Sequence, residues 1–189
     1  VTSCVKDGAV LVIAGSTIVA AAANTKQRAE ANSNTAGLVA AGISQSNASS
    51  NVTTKAYLGT PDLLTSGNVT LTGGSLSVGA VGMDENFAET TAGSVGGISV
   101  AAATAETSTI STTIAEIKSG ADIDLSGASK TGVFRVAAEH TAKPNSAVYS
   151  LAGGLFGGAG AEVDNTVTST VKATVGDVDV VAKDLTIEA

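Results

Sequence analysis

A short block of residues recurs four times along this 189-residue chain. The copies read GAVLVIAGSTIVAA (8–21), GNVTLTGGSLSVGA (67–80), GADIDLSGASKTGVF (120–134) and GDVDVVAKDLTIEA (176–189). The apolar residues on which we align the four copies are Val10, Val69, Ile123 and Val178. A sustained period of about 55 residues is typical of stacked structural units, none of which can bury its apolar face alone.

The segments between the blocks also repeat in character. Each contains a polar stretch, then a patch rich in glycine and alanine, then a stretch rich in serine and threonine. Three segment types in the same order three times indicate duplication rather than biased composition. We therefore treat 1–189 as a single segment, with repeats at approximately 8–66, 67–119 and 120–175 and a partial repeat at 176–189.

Within the blocks, apolar and polar residues alternate and β-branched residues dominate, which is typical of strands. The segment 19–31 is the best helical alternative. The pattern predicts an all-β fold, a right-handed parallel β-solenoid (β-helix) of about three degenerate repeats. Since a solenoid coil takes roughly 20 residues, each repeat is expected to supply two or three coils. In the second block, alternation predicts two sets of side chains: Val69, Leu71, Leu76 and Val78 inside, and Asn68, Thr70, Ser75 and Ser77 outside.

Composition narrows the possible functions. Hydrophobic content of 43% argues against disorder, whereas 3% aromatic residues and no tryptophan argue against an ordinary enzyme core. Small side chains suit a thin interior between closely spaced backbone layers. The net charge of −7 disfavours nucleic acid and anionic lipid as partners, because both attract clustered lysine and arginine.

The two later repeats resemble a known class of proteins. GGISVAAATAETSTISTTIAEIKSGADIDLSG (96–127) and GGLFGGAGAEVDNTVTSTVKATVGDVDVVAKDLTIEA (153–189) are similar to the repeats of large bacterial surface adhesins, the filamentous-haemagglutinin-like and leukotoxin-like arrays. A shared A-x-(I/V/L) step is matched at Ala56–Leu58, Ala115–Ile117 and Ala173–Val175. The resemblance covers most of the chain and rests on segment character, not on a catalytic signature.

The resemblance implies a non-enzymatic structural or adhesive segment of an extracellular, cell-surface protein or filament. Its implied partners are other copies of the chain or flanking repeats, stacked end to end, together with cell-surface glycans or host receptors. No cofactor and no membrane span are expected. The N-terminal segment 1–25 lacks the basic region of a secretion signal, and the opening valine suggests a mature product or an excised fragment.

No catalytic, cofactor-binding or metal-binding residues are predicted. His140 is the only histidine, and its AEHTAKP context predicts a surface turn. The single cysteine, Cys4, cannot form an internal disulfide and is expected to be a small buried or terminal residue. Gly157–Gly160 resemble the start of a calcium-binding nonapeptide, but Glu162 and Asp164 depart from it, so close approach of coils is the predicted role.

Two acidic pairs, Asp122/Asp124 and Asp177/Asp179, take equivalent positions in the alignment. Carboxylates two residues apart on a strand lie about 7 Å from each other on one face. Such a pair could bind calcium loosely or perform acid–base chemistry. The expected role is a solvated acidic edge, because two of the four blocks lack the pair.

Two other function classes stay open at this point. A carbohydrate-active β-helix enzyme or carbohydrate-binding solenoid would need basic and aromatic residues near paired acids, yet Arg28 and Arg135 are the only arginines. An ice-binding solenoid would need ranks of threonine, of which the chain has isolated pairs. Glycosylation sequons stand at Asn47, Asn51 and Asn68, where modification would depend on the producing cell.

Overall fold

The computed structural model describes residues 1–59, 69–126 and 132–189. Within these ranges the protein forms nine strands and no helix. Three strands have 43 residues each and the others are short. In chain order the strands are β1 (Thr2–Val5), β2 (Val10–Val12), β3 (Ser16–Leu58), β4 (Thr70–Thr72), β5 (Ser75–Ile117), β6 (Asp122–Asp124), β7 (Val133–Val175), β8 (Asp179–Val181) and β9 (Asp184–Glu188).

The strands form two parallel sheets, visited alternately by the chain. One sheet has the order β1-β3-β5-β7-β9 and the other β2-β4-β6-β8. Because successive strands of each sheet are neighbours and every pair is parallel, the chain winds through the two sheets layer by layer. This architecture is a parallel β-solenoid, and the predicted fold class is confirmed.

Each long strand is one layer. β3 pairs with β5 from Ser16 opposite Ser75 to Leu58 opposite Ile117, and the register does not change along the way. β5 pairs with β7 in the same manner, up to Ile117 opposite Val175. One repeat therefore supplies one coil, and the expectation of two or three coils per repeat is wrong. The helical alternative for 19–31 is also wrong, since the segment lies within β3.

The long strands fold back on themselves. In β5 the side chain of Ser111 contacts Asp84, that of Asn86 contacts Thr109, and that of Thr90 reaches the carbonyl of Thr104. In each of the three pairs, the two residues lie at nearly equal sequence distances on either side of residues 97 and 98, which places the bend of the strand there. Each long strand thus has a first arm and a second arm, which face each other across a narrow interior without pairing their backbones.

A stack of glycines forms the bend between the arms. Gly37, Gly96 and Gly154 lie opposite one another in the three layers, and we call this stack the glycine corner. A Cβ added at Gly96 would overlap the carbonyl oxygen of Gly37, and one added at Gly154 would overlap that of Gly96. Registered pairing skips Leu38 and resumes at Val39 opposite Ile98.

Large side chains fill the end of the interior far from the corner, where the short sheet closes the coil. This core includes Leu58, Leu71, Leu76, Ile117 and Phe134, all fully buried. Towards the corner the interior narrows, and its buried residues are alanine, serine and threonine. The predicted burial of Val69, Leu71, Leu76 and Val78 is confirmed, while Asn68 lies outside the described residues.

The short sheet corrects the sequence alignment of the blocks. Leu11 pairs with Leu71, Leu71 with Ile123, and Ile123 with Val180. The stacked set is therefore Leu11, Leu71, Ile123 and Val180, whereas the alignment had placed Val10, Val69 and Val178 with Ile123. In the second and fourth blocks the shift is two positions, which preserves the alternation and is invisible to it. In the first block it is one position, and Val10 accordingly lies on the exposed face.

We expect Gly96→Ala to destabilise the solenoid by about 1–3 kcal/mol, because the added methyl group must push two layers apart. Gly79→Ala, in the same strand with no heavy atom within 4 Å of the added Cβ, is the matched control and should change stability little. Urea unfolding followed by circular dichroism measures both. Equal effects at the two positions would show that the corner does not depend on close backbone contact.

Candidate functional site

A buried polar cluster occupies the middle of the interior. The Asp84 carboxylate is 1% exposed and accepts hydrogen bonds from the hydroxyls of Thr25 and Ser111. The side chain of His140 is 3% exposed, and its Nε2 lies 3.4 Å from Asp84 Oδ2. Thr25, Asp84 and His140 come from β3, β5 and β7, so the cluster joins all three layers.

Asn86 extends this cluster by one inward position. Its Nδ2 atom donates to Ser50 Oγ at 3.0 Å, to Thr109 Oγ1 at 2.8 Å and to the Ser108 carbonyl at 3.0 Å. The side-chain oxygen of Asn86 and both ring nitrogens of His140 have no hydrogen-bond partner. The Asn86 amide therefore links the first arm of β5 to two second arms, that of β5 itself and that of β3.

The cluster combines serine, histidine and aspartate in an arrangement unsuited to nucleophilic catalysis. Ser111 donates directly to Asp84, so the histidine is not placed between nucleophile and carboxylate as a relay requires. Burial of Asp84 and His140 also keeps substrate away. The contacts instead satisfy polar groups inside a thin core, which is their structural use.

The surface turn predicted around His140 is wrong. His140 lies within β7, and its imidazole points inward. The alternation of Phe134, Val136 and Ala138, all buried, continues to His140 two positions later. That alternation was the available signal, but the polar residues that follow His140 obscured it.

We expect Asp84→Ala to destabilise the protein by roughly 1–3 kcal/mol, because Thr25 and Ser111 lose a buried acceptor. Glu85→Ala is the matched control: Glu85 is adjacent and partly exposed, and its partner Lys26 is exposed, so little change is expected. Chemical denaturation provides the comparison. A larger loss at Glu85 than at Asp84 would contradict a structural role for the cluster.

The outer faces of the first arms carry most of the ion pairs. Lys26 Nζ lies 2.7 Å from Glu85 Oε2, and the hydrogen bond and charge of Lys26 hold the pKa of Glu85 below its ordinary value. Arg28 contacts Glu30, lies 3.7 Å from Glu89, and stacks 4.3 Å from the ring centre of Phe87. The contacts to Glu85, Glu89 and Phe87 cross between β3 and β5 and favour their register.

The acidic pairs are not equivalent as the alignment suggested. Asp122 lies opposite Asp179, but Asp124 lies opposite Val181, and Asp177 precedes β8. Hydrogen bonds from Ser126 lower the pKa of Asp124, including one from its backbone N–H at 2.8 Å. Among the described residues, no group of three or more histidine, cysteine, aspartate or glutamate side chains could hold a metal ion.

We expect Asp122→Asn to leave the melting temperature unchanged or slightly raised, because like charges directly opposite in neighbouring strands repel. Millimolar calcium should have no further effect on either protein. Differential scanning calorimetry with calcium or with a chelator tests this, with magnesium as the control cation. A calcium-dependent rise that Asp122→Asn abolishes would establish the metal site instead.

The other residues considered from the sequence are dispersed. Cys4 is exposed in β1 near the N-terminus, so terminal placement is right and burial is wrong. Asn47 and Asn51 are exposed on the second arm of β3, where Asn47 bonds to Glu106 at 3.1 Å. Asn68 lies outside the described residues.

Close approach of coils at Gly157–Gly160 is only partly found. A Cβ at Gly157 would lie 3.3 Å from Ser99 Oγ, whereas Gly158 and Gly160 have open space beside them. Tight approaches of backbone occur at the glycine corner, which the sequence did not single out, and also at positions such as Gly42 and Gly132. The signal for the corner was a glycine at the same place in every repeat, in the GL and GG steps at 37–38, 96–97 and 154–155.

Six apolar side chains protrude beside the glycine corner, and we call them the corner ridge. Leu38 and Leu155 are 86% and 87% exposed, and the others are more than half exposed. Val39, Ile98 and Phe156 lie opposite one another in the three layers. The ridge comprises Leu38, Val39, Val95, Ile98, Leu155 and Phe156.

The two outer long strands have open edges. On the side away from β5, β3 pairs only through Lys55–Leu58 with β1, and β7 pairs only through Val133–Ala137 with β9. On β3 the N-terminal ammonium of Val1 also donates to the Thr53 carbonyl at 2.6 Å. Within the described residues, the remainder of each 43-residue strand has no backbone partner on that side. These edges are the largest unpaired hydrogen-bonding surface that the structure describes.

No protein-family model matches the chain, and no curated protein and no solved structure matches it either. Nor do the described residues include a helix able to span a membrane.

Proposed function

We propose that this chain is a non-enzymatic structural or adhesive segment of an extracellular bacterial surface protein or filament, which extends by stacking further coils at its open edges. The observation that supports this most directly is the pair of open edges on β3 and β7. The adhesin-like segment pattern of the repeats supports the cell-surface assignment.

The edges are suited to adding layers because the existing layers already pair along 43-residue strands without a change of register. A further coil of the same design meets the same backbone spacing along its whole length. It would also cover the half-exposed interior residues of the outer layers, such as Val171 and Val175. Its binding surface is backbone, so side-chain identity matters less than alternation and length.

Backbone direction shows which groups each edge offers. The N–H of Lys55 donates to the Val1 carbonyl at 2.9 Å, and that of Gly59 donates to the Val5 carbonyl at 2.8 Å. Odd-numbered residues of this arm therefore point their backbone groups away from β5. Even-numbered residues point towards it, as the bond from Lys118 N–H to the Leu58 carbonyl shows.

The edge of β7 contains one natural interruption. The Gly132 carbonyl accepts from Lys183 N–H, so even-numbered residues of the first arm face the open side. Pro144, opposite Asn86, belongs to this set, and its missing N–H falls on the open edge. An added layer therefore cannot accept a backbone hydrogen bond from residue 144.

The partner layer is a flanking repeat or another copy of the chain. β9 occupies the start of the β7 edge, and β1 occupies the end of the β3 edge. Another copy must therefore displace these short strands to pair along the full length. Because each covers only a short stretch of its edge, they oppose stacking weakly.

Solution scattering tests the proposal. The isolated chain should give a rod-like profile that lengthens with concentration, and an apparent mass above 18.3 kDa. The double substitution Ser49→Pro and Asn51→Pro removes two donors from the open edge of β3 and should return the protein to a monomer. A compact wild-type monomer at every concentration would overturn the proposal.

Ser50→Pro is the matched control. Its N–H faces β5, so this substitution breaks the bonding between layers instead of the free edge. It should reduce the β signal in circular dichroism, whereas the edge double variant should keep that signal. A rod-like profile that still lengthens with concentration in the folded edge double variant would also contradict edge stacking.

A further inference from the structure

We infer that the corner ridge is a second interaction surface, by which two copies of the chain associate side by side. The contact is lateral, at right angles to the stacking axis, and does not depend on the open edges. It therefore stands independently of the end-to-end function proposed above.

The distribution of charge around the glycine corner favours a second copy as the partner. Residues 31–54, 90–105 and 144–161, which form the bend and its neighbourhood in each layer, contain no aspartate, glutamate, lysine, arginine or histidine. Charged residues begin again only at the rim, for example Glu89 and Glu106 in β5. A second copy approaching corner to corner meets a neutral apolar surface, although its net charge of −7 disfavours contact elsewhere.

The shape of the surface also favours a second copy. Beside the ridge lies a groove lined by Asn34 of β3, Gly93 of β5, and Tyr149 and Leu151 of β7, with Ala161 of the second arm at its border. The Asn34 side chain lies against the backbone of Gly93. Ridge and groove are adjacent on the same molecule. A two-fold contact can therefore place the ridge of each copy in the groove of the other, as isologous interfaces require.

The spacing of the layers also favours a second copy. Layers of a sheet lie about 4.8 Å apart, so ridge residues such as Val39, Ile98 and Phe156 recur at that interval. Only a partner with the same interval keeps equivalent contacts at every layer. A second copy of the chain has the same interval, because it has the same fold.

The size of the surface predicts a weak contact. Three layers give a height of about 14 Å, and a strip of four or five residues on each arm is about 30 Å wide. The resulting area of roughly 400 Å² per copy is about half of that in a standard stable interface. We therefore expect a dissociation constant on the order of 0.1 mM or weaker.

A lipid surface fits the ridge less well. Segments that insert at a bilayer surface usually place lysine or arginine at their rim. The uncharged region here is bounded by four acidic residues and two lysines, namely Glu30, Glu89, Glu106, Glu162, Lys55 and Lys143. The backbone pairing is also interrupted at Leu38, and unpaired peptide groups are costly in hydrocarbon.

Cysteine crosslinking tests the inference, since Cys4 is the only native cysteine. In a Cys4→Ser background, Ile98→Cys places a thiol on the ridge in the middle layer, close to the expected two-fold axis. Ile110→Cys is the matched control, because Ile110 is similarly exposed on the same strand but lies away from the corner. A short bismaleimide should yield covalent dimers from Ile98→Cys and at least about tenfold fewer from Ile110→Cys.

The added substitutions Leu38→Glu and Leu155→Glu should abolish crosslinking through Ile98→Cys, whereas Ile18→Glu, also exposed but far from the corner, should not. Repeating the experiment with Ser49→Pro and Asn51→Pro removes end-to-end stacking. We expect crosslinking through Ile98→Cys to survive in this edge-blocked variant. The lateral contact and the end-to-end contact are thus tested separately.

Three results would overturn the inference. They are equal crosslinking at the two cysteine positions, crosslinking unaffected by the two glutamates, and loss of crosslinking in the edge-blocked variant. Co-flotation of the Cys4→Ser protein with phosphatidylcholine vesicles, abolished by Leu38→Glu and Leu155→Glu and unaccompanied by crosslinking, would assign the ridge to lipid. Circular dichroism confirms that each variant is folded.

Discussion

Backbone pairing between complete layers is the constraint on which the rest of this structure depends. Each 43-residue strand pairs in parallel with the next in a single register, without a bulge along either arm. Parallel pairing at a fixed register places like positions above one another, so glycine stacks on glycine at the corner and apolar residues stack in the core. Towards the corner the interior is narrow, because small side chains separate the two arms there and recur from layer to layer.

The interior shows how a chain with few large side chains can still bury its polar groups. Near the closed end, leucine, isoleucine and phenylalanine provide apolar burial. Nearer the corner, serine and threonine hydroxyls bond to Asp84, Asn86 and backbone carbonyls across the gap. The hydrogen bonds of Asp84 and Asn86 to hydroxyls of the opposite arm favour one alignment of the arms, while the side-chain oxygen of Asn86 and the ring nitrogens of His140 stay without a partner.

Part of this structure was predictable from the sequence. The parallel β-solenoid and the burial of Val69, Leu71, Leu76 and Val78 followed from large apolar residues that alternate with polar ones. In the second arm of β5 that contrast reverses: Thr109 and Thr113 are buried, whereas Ile110 is exposed. Hydropathy therefore gave no guide to the folding back of the strand or to the corner, and at His140 the polar residues that follow obscured the alternation that leads to it. The repeating segment types reflect changes in interior width along one coil, and not successive coils.

The orientation of the layer-to-layer hydrogen bonds has a mechanical consequence. These bonds run parallel to the stacking axis, so a force applied through a chain end peels that end layer from its neighbour and opens its bonds one after another. Layers would then detach singly, and each would release about 58 residues, or roughly 200 Å of extended chain. A protein built in this way would yield in steps at modest force, and would lengthen many times over before its last layer is lost.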